Sequence, residues 1–223
     1  MRILDLWSGT GSATKVWREA GHEVITVDND PAFNPTICKD ILDVTVEELR
    51  KYGDYHFIWA SPDCRVYSVA SGFSNWKKDD LGFAHPITKK SYEANKRLSH
   101  TMYLIHSLRP KYWILENPRG MMRKVKRMNK YTRHTVSYCK YGDNRMKPTD
   151  LWGVFPPNFI PKMCRNHKFD SNGEVINRQC HHEIAQRGDK TGTQGLKKVD
   201  RSKIPFDLTL ELYGLIKYGG KIK

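Results

Sequence analysis

A doubly wound α/β domain, with a mostly parallel sheet and a small irregular insert, is the fold class this sequence predicts. Three observations carry that prediction. Short apolar runs alternate with segments of helical spacing through residues 1–118, which is the rhythm of right-handed βαβ crossovers. Two glycines, Gly9 and Gly11, stand between the first apolar run and the first helical segment. Finally, the polar residues with chemistry to offer follow apolar runs, at residues 8–12, Asp28, residues 61–64 and residues 116–118. In a sheet of this kind those are the carboxyl ends of strands, where ligands bind.

The elements follow in order. "RILDLW" is a short strand and "GTGS" a tight turn. "ATKVWREAG" has helical spacing and ends at Gly21, a helix C-cap. "HEVITVD" is a second strand, "VEELRKYG" a short helix and "YHFIWA" a third strand. In "SYEANKRLSHTMYLIHSLRP", Ala94, Leu98, Met102, Ile105 and Leu108 fall near one face of a long helix. "KYWILEN" is a buried strand. After Pro118 the pattern changes. "RGMMRKVKRMNKYTRH" is strongly basic, and "HTVSYCKYG" and "TDLWGVF" read as an antiparallel pair at one sheet edge. "IPFDLTLELYGLIKYG" closes the chain with an amphipathic helix. The expected division is a core over residues 1–155, an insert over 156–200 and a helix returning to the core over 201–223.

The 223 residues suffice for one domain with a sizeable core. Charged residues make up 28% and hydrophobic ones 39%, the balance of a soluble globular chain. A net charge of +14 points to a polyanionic partner, nucleic acid first. No apolar run approaches the ~18 residues that span a bilayer. "MRILDLWSGTGS" lacks the apolar core and cleavage site of a secretory signal. Five cysteines, an odd number, suit a reducing compartment better than a disulfide framework.

Gly9 and Gly11 allow backbone amides to approach a ligand at the start of a helix, although an ordinary strand-to-helix turn needs no ligand. The third glycine of a dinucleotide fingerprint is missing, since Thr14 stands in its place. Asp28 ends the next strand about 20 residues on, where an acid suits two ribose hydroxyls. Asp5, Asp28 and Asp40 would repel a pyrophosphate. They would tolerate a nucleoside with a positive centre, such as S-adenosylmethionine. Asp40 has two readings, as an acceptor for an adenine amino group or as the N-cap of the following helix.

"LDLWSGTGS", "VDND", "ASPDCRVYS" and "ILENPRGM", in this order and spacing, resemble the cytosine-C5 DNA methyltransferases, above all the compact forms common in bacteriophages. The resemblance covers roughly residues 1–155 and, weakly, the last 25. It implies a Rossmann-like class I methyltransferase that uses S-adenosylmethionine on DNA, double-stranded in the first instance. It also implies a monomer in the cytoplasm of a bacterial host. Cys64 would add to C6 of cytosine while Glu116 holds and protonates N3, which asks for a raised carboxyl pKa in a dry pocket. Asn117 and Pro118 would fix the turn. The target base has to leave the helical stack to reach such a pocket. On the same resemblance Asp5, Trp7, Ser8, Gly9, Gly11, Asp28, Asn29, Asp40 and Pro62 would line the cofactor.

The sequence departs from the family pattern at three places. Pro62-Asp63-Cys64 stands where the family has Pro-Pro-Cys, and a carboxylate beside a thiol disfavours the thiolate. Asp63 is therefore expected to point away or to pair with Arg65. "YGDNRMKPTD" offers Arg145 and Lys147 in place of the family's Gln-x-Arg-x-Arg, one of them to contact the base O2 or the backbone. "RSKIP" loosely resembles the closing Gly-Asn-x-x-Pro motif, and Ser202 would then reach the methionine part of the cofactor.

The insert supplies Cys164, His167, Cys180 and His181, with His182 adjacent. These ligands have the softness and number that zinc takes, while a polar loop with incidental Cys and His is the simpler reading. "QRGDKTGTQGLKK" reads as a basic, Gly-rich loop that touches nucleic acid or solvent. Together with residues 119–133 it forms a small recognition surface. Two further functions stay open on sequence. One is the same chemistry on RNA cytosine. The other is a non-catalytic nucleic-acid-binding protein that keeps the fold, with Asp63 as the mark of lost chemistry.

Overall fold

The computed structural model describes residues 1–69, 74–164, 168–169, 171–172, 175–177, 180, 182 and 198–219. Strands β1 (Arg2–Leu6), β2 (Glu23–Asp28), β3 (Ile37–Cys38), β4 (Phe57–Ala60) and β7 (Tyr112–Pro118) pair in parallel, in the order β3–β2–β1–β4–β7. β9 (Pro148–Val154) adds antiparallel to β7, and β8 (Arg133–Ser137) adds antiparallel to β9 as the far edge. The mostly parallel sheet and the antiparallel edge pair are those the sequence predicts. A small hairpin of β5 (Trp76–Lys78) and β6 (Ala84–Pro86), and a pair of β10 (Lys168–Phe169) and β11 (Val175–Asn177), lie outside this sheet.

Side chains alternate across the strands and so build a core on each face. Leu4, Leu6, Ile58, Ala60, Trp113 and Leu115 join one cluster, with Leu98, Met102 and Ile105 of helix α3 (Lys89–Leu108). Ile3, Phe57, Trp59 and Ile114 join the other, with Trp17 of α1 (Lys15–Glu19) and Leu208 and Leu212 of α5 (Phe206–Tyr218). Trp17 stacks on Phe57 at 5.0 Å and meets Tyr213 edge-on at 5.9 Å, so the last helix closes over the first. Every strand in the middle of the sheet is thus buried on both sides, as parallel strands require.

Local signals set the boundaries. Thr88 and Ser91 form a reciprocal capping box at the start of α3, which ends at Arg109, in the left-handed region just before Pro110. α1 ends as its glycine predicts, with Gly21 at φ +76° just past the cap. The short helices α2 (Val46–Arg50) and α4 (Lys198–Ser202) fill connections. The basic segment after β7 folds as two 3-10 turns, Met121–Lys124 and Lys126–Lys130. These bury Met121, Met122 and Met128 and leave Arg119, Lys124, Lys126, Lys130 and Arg133 exposed. Among the described residues, no helix is long and apolar enough to cross a membrane.

Candidate active site

The carboxyl ends of β4 and β7 lie side by side, and each carries one half of the reactive pair. After Ala60 the chain turns through Ser61, whose N–H donates to the Leu6 carbonyl at 3.1 Å, and buried Pro62. The Cys64 carbonyl accepts from Tyr67 and Ser68 N–H at 3.0 and 2.9 Å, and this turn leaves the thiol half-buried at the mouth. Asn117, fully buried in β7, donates from Nδ2 to the Pro62 carbonyl at 2.8 Å, tying the two motifs directly. Behind them, a Cβ on Gly120 would lie 2.2 Å from the Tyr67 carbonyl oxygen. Only glycine lets Met121 N–H reach that oxygen at 2.7 Å.

Glu116 is buried beside Asn117, and its Oε1 accepts from the Tyr138 hydroxyl at 2.9 Å. Tyr138 lies just past the end of β8; burial keeps its phenol protonated and so a donor. Lys147 extends over the Tyr138 ring at 4.5 Å and donates to the Arg201 carbonyl at 3.0 Å. Burial pushes the Cys64 thiol up, the nearby Glu116 carboxylate adds to this, and Lys147 opposes it. Burial likewise lowers Lys147, while Glu116 and Cys64 raise it. The thiol, the carboxylate and the ammonium therefore share one electrostatic neighbourhood. Asp63 forms an ion pair with Arg65 at 2.7 Å, as the sequence leads one to expect, and still adds to the upward push on the thiol.

At the end of β1 the backbone enters the left-handed region three times, at Trp7 (φ +63°), Gly9 (φ +49°) and Gly11 (φ +69°). For Trp7 this is strained, and its indole N–H is held by Thr101 Oγ1 at 3.1 Å. Gly9 has open space where a Cβ would stand. Its N–H donates to Asp28 Oδ2 at 2.8 Å, and Asp30 N–H donates to Asp28 Oδ1 at 2.9 Å. A carboxylate with two such partners keeps acceptor capacity. Ser8 is buried below this turn and Asn29 is exposed beside it. Asp5 is fully buried; Thr14 donates to its Oδ2 at 2.6 Å, and Oδ1 has no partner. Burial raises this carboxyl to about 7.

Asp40 takes the cap role that was one of its two readings, and Ser202 bonds within its own helix. Asp40 caps the 3-10 turn Ile41–Asp43 through Leu42 N–H at 3.0 Å and pairs with Arg97 at 2.7 Å. Its oxygens thus serve the cap and the ion pair. Ser202 donates to the Val199 carbonyl at 2.7 Å and is exposed. The C-terminal segment meets the glycine turn instead through Ile204 N–H, which donates to Ser12 Oγ at 3.0 Å. Arg145 pairs with Asp143 and donates to the Arg201 carbonyl at 3.0 Å. It lines a cleft of about 530 Å³ between Tyr141 and Phe206, whose lining includes neither Cys64 nor Glu116.

His167 and His181 lie outside the described residues. Cys164 and Cys180 do come together, with His182, which the sequence reading set beside its ligand set, and with Cys139, which it did not name. Cys139 was hidden inside a predicted strand. Tyr138 was missed as well, because nothing in a strand-end tyrosine marks it as a neighbour of Glu116.

No protein-family model matches the chain. A protein of Frog virus 3, "Probable DNA (cytosine-5)-methyltransferase", is 30% identical over 227 residues, covering 96% of this chain and 100% of its own length. The chain belongs to the cytosine-5 DNA methyltransferase family. Type II methyltransferase M.XorII of Xanthomonas oryzae pv. oryzae is 26% identical over 136 residues, 53% of this chain and 28% of its own. The fold matches a protein described as a "putative DNA modification methyltransferase encoded within prophage" of E. coli. The TM-score is 0.53 at 20% identity, over 75% of this chain and 53% of that one.

Proposed function

We propose that this protein transfers a methyl group to C5 of cytosine in double-stranded DNA. The observation that carries the reading is the placement of Cys64 just past β4 and Glu116 near the end of the adjacent β7, joined by the Asn117–Pro62 bond. Family membership supports the same chemistry.

Cys64, as thiolate, adds to C6 of an extruded cytosine. Glu116, steadied at Oε1 by Tyr138, holds N3 and delivers its proton as the adduct forms. Lys147 offsets the two carboxylates near the thiol. S-adenosylmethionine, when bound, supplies the electrophilic methyl group that the activated C5 takes. Loss of the C5 proton and elimination then release Cys64.

The open backbone at Gly9, the acceptor capacity of Asp28 and the unpartnered Asp5 Oδ1 fit a cationic nucleoside. We assign Trp7, Ser8, Gly11, Asn29 and Pro62 to the same pocket wall. Asp40 and Ser202 go to structural roles. Arg145 is assigned to the wall of the cleft beside the base. The exposed cations of residues 119–133 face phosphate. In this reading residues 1–155 form the core, 156–200 the recognition insert and 201–223 the closing helix. The protein works as a monomer in the compartment that holds its DNA. Labelled S-adenosylmethionine with duplex DNA, followed by bisulfite sequencing, tests it. Label in cytosine C5 that vanishes with Cys64→Ala supports the reading. DNA binding with no transfer refutes it.

A further inference from the structure

We propose that Cys139, Cys164, Cys180 and His182 bind a structural zinc ion that fastens the insert to the edge of the catalytic sheet. Their three sulfurs and one ring nitrogen all lie within 4.8 Å of one another. Cys164 Sγ is 3.8 Å from His182 Nδ1. Tetrahedral zinc with sulfur bonds of about 2.3 Å sets its donors roughly 3.8 Å apart, so the group needs only to tighten slightly. Cys139, Cys164 and His182 are buried and Cys180 is partly buried, and none of the cysteines is in a disulfide. Three thiols and an imidazole held this close, without an apolar reason, are explained by a metal. Four protein donors leave no open position, which makes the site structural rather than catalytic.

The chain positions of the ligands show what the ion would hold. Cys139 lies in the 3-10 turn Tyr138–Tyr141, directly after β8. Cys164 is stitched to the same edge: its N–H donates to Ser137 Oγ at 3.0 Å, and Ser137 N–H donates to the Lys162 carbonyl at 2.9 Å. Cys180 and His182 come from the far side of the insert. One donor thus follows the sheet edge and three lie in the insert, of which Cys164 is bonded to that edge, in a segment with little apolar material of its own. A metal clip replaces the missing core. Cys139 also follows Tyr138, the residue that bonds Glu116. The clip would therefore hold the Glu116 support in place, a consequence that rests on the function proposed above.

The test reads metal, not activity, so it stands or falls apart from that function. Whole protein purified without added metal or chelator is expected to carry about one zinc per chain by plasma emission spectrometry. Cys139→Ser, Cys164→Ser and Cys180→Ser should each lose it, and Cys38→Ser, remote from the cluster, should keep it. Should those variants fail to fold, cobalt exchange into the unmodified protein decides. Thiolate-to-cobalt charge-transfer bands with tetrahedral d–d bands support the site, and an octahedral spectrum overturns it. Chelation should expose three further thiols to a thiol reagent. No metal, iron in place of zinc, or a disulfide within the cluster overturns the proposal.

Discussion

Asn117 donates from Nδ2 to the Pro62 carbonyl at 2.8 Å, a buried bond between residues 55 apart in sequence. It joins the loop of Cys64 to the strand end of Glu116, so the two reacting groups cannot drift independently. Asn117→Ala leaves a buried carbonyl unpaired, at a cost of about 1–3 kcal/mol. Methyl transfer should fall through kcat with little change in KM for DNA, because binding surfaces stay intact. Steady-state kinetics check this; an unchanged kcat would remove the bond from the mechanism.

Gly120 makes the same connection by close approach. A methyl group there meets the Tyr67 carbonyl oxygen at 2.2 Å. Gly120→Ala must push the turn after β7 off the cysteine loop, costing roughly 1–3 kcal/mol as overpacking does. A thermal melt should show a lower midpoint, together with weakened transfer. A variant as stable and active as the parent contradicts the packing described.

The charge balance around Cys64 sets a pH dependence. Burial and Glu116 hold the thiol above its ordinary range, and Lys147 pulls it back. The rate should rise into alkaline pH as the thiolate forms. Lys147→Gln removes the opposing cation, so the rising limb moves to higher pH. Transfer at neutral pH should then drop by roughly tenfold, the rate equivalent of about 1.4 kcal/mol, and recover as pH rises. A limb that stays in place would mean that Lys147 does not act on the thiol.

Asp5 ties stability to pH with the opposite sign from most acids. Burial raises its carboxyl to about 7 in the folded protein, against about 4 in an unfolded chain. Between these values the folded state holds the extra proton, so this group's contribution to stability falls as pH rises from about 4 to about 7. The loss reaches at most about 4 kcal/mol. Asp5→Asn should flatten that part of the profile and stabilise the protein above pH 7. Denaturant melts across the window measure it; parallel curves for parent and variant would contradict the burial of an ionisable Asp5.

What the sequence displays is what local pattern encodes. Alternating apolar runs gave the strands, and Gly9, Gly11, Asp28, Cys64 and Glu116 stood out by their place after those runs. The hidden part depends on contacts between distant segments. Asp40 pairs with Arg97 besides capping its own turn, a contact set by the position of α3. Ser202 is two residues short of the position that meets the glycine turn, and Ile204 makes that contact. Cys139 and His182 join Cys164 and Cys180 only once β8 has been placed at the sheet edge. Tyr138 meets Glu116 because β9 separates their strands by a single strand width.

Trapping on duplex DNA that carries 5-fluorocytosine tests the central claim most directly. Fluorine at C5 cannot leave as a proton does, so the sulfur–C6 bond should persist. With S-adenosylmethionine present, the account predicts a denaturation-resistant protein–DNA complex whose crosslinked peptide contains Cys64, absent in Cys64→Ser and strongly reduced in Glu116→Gln. A complex that survives in Cys64→Ser, or methyl transfer to ordinary DNA with no trapped species, would contradict it.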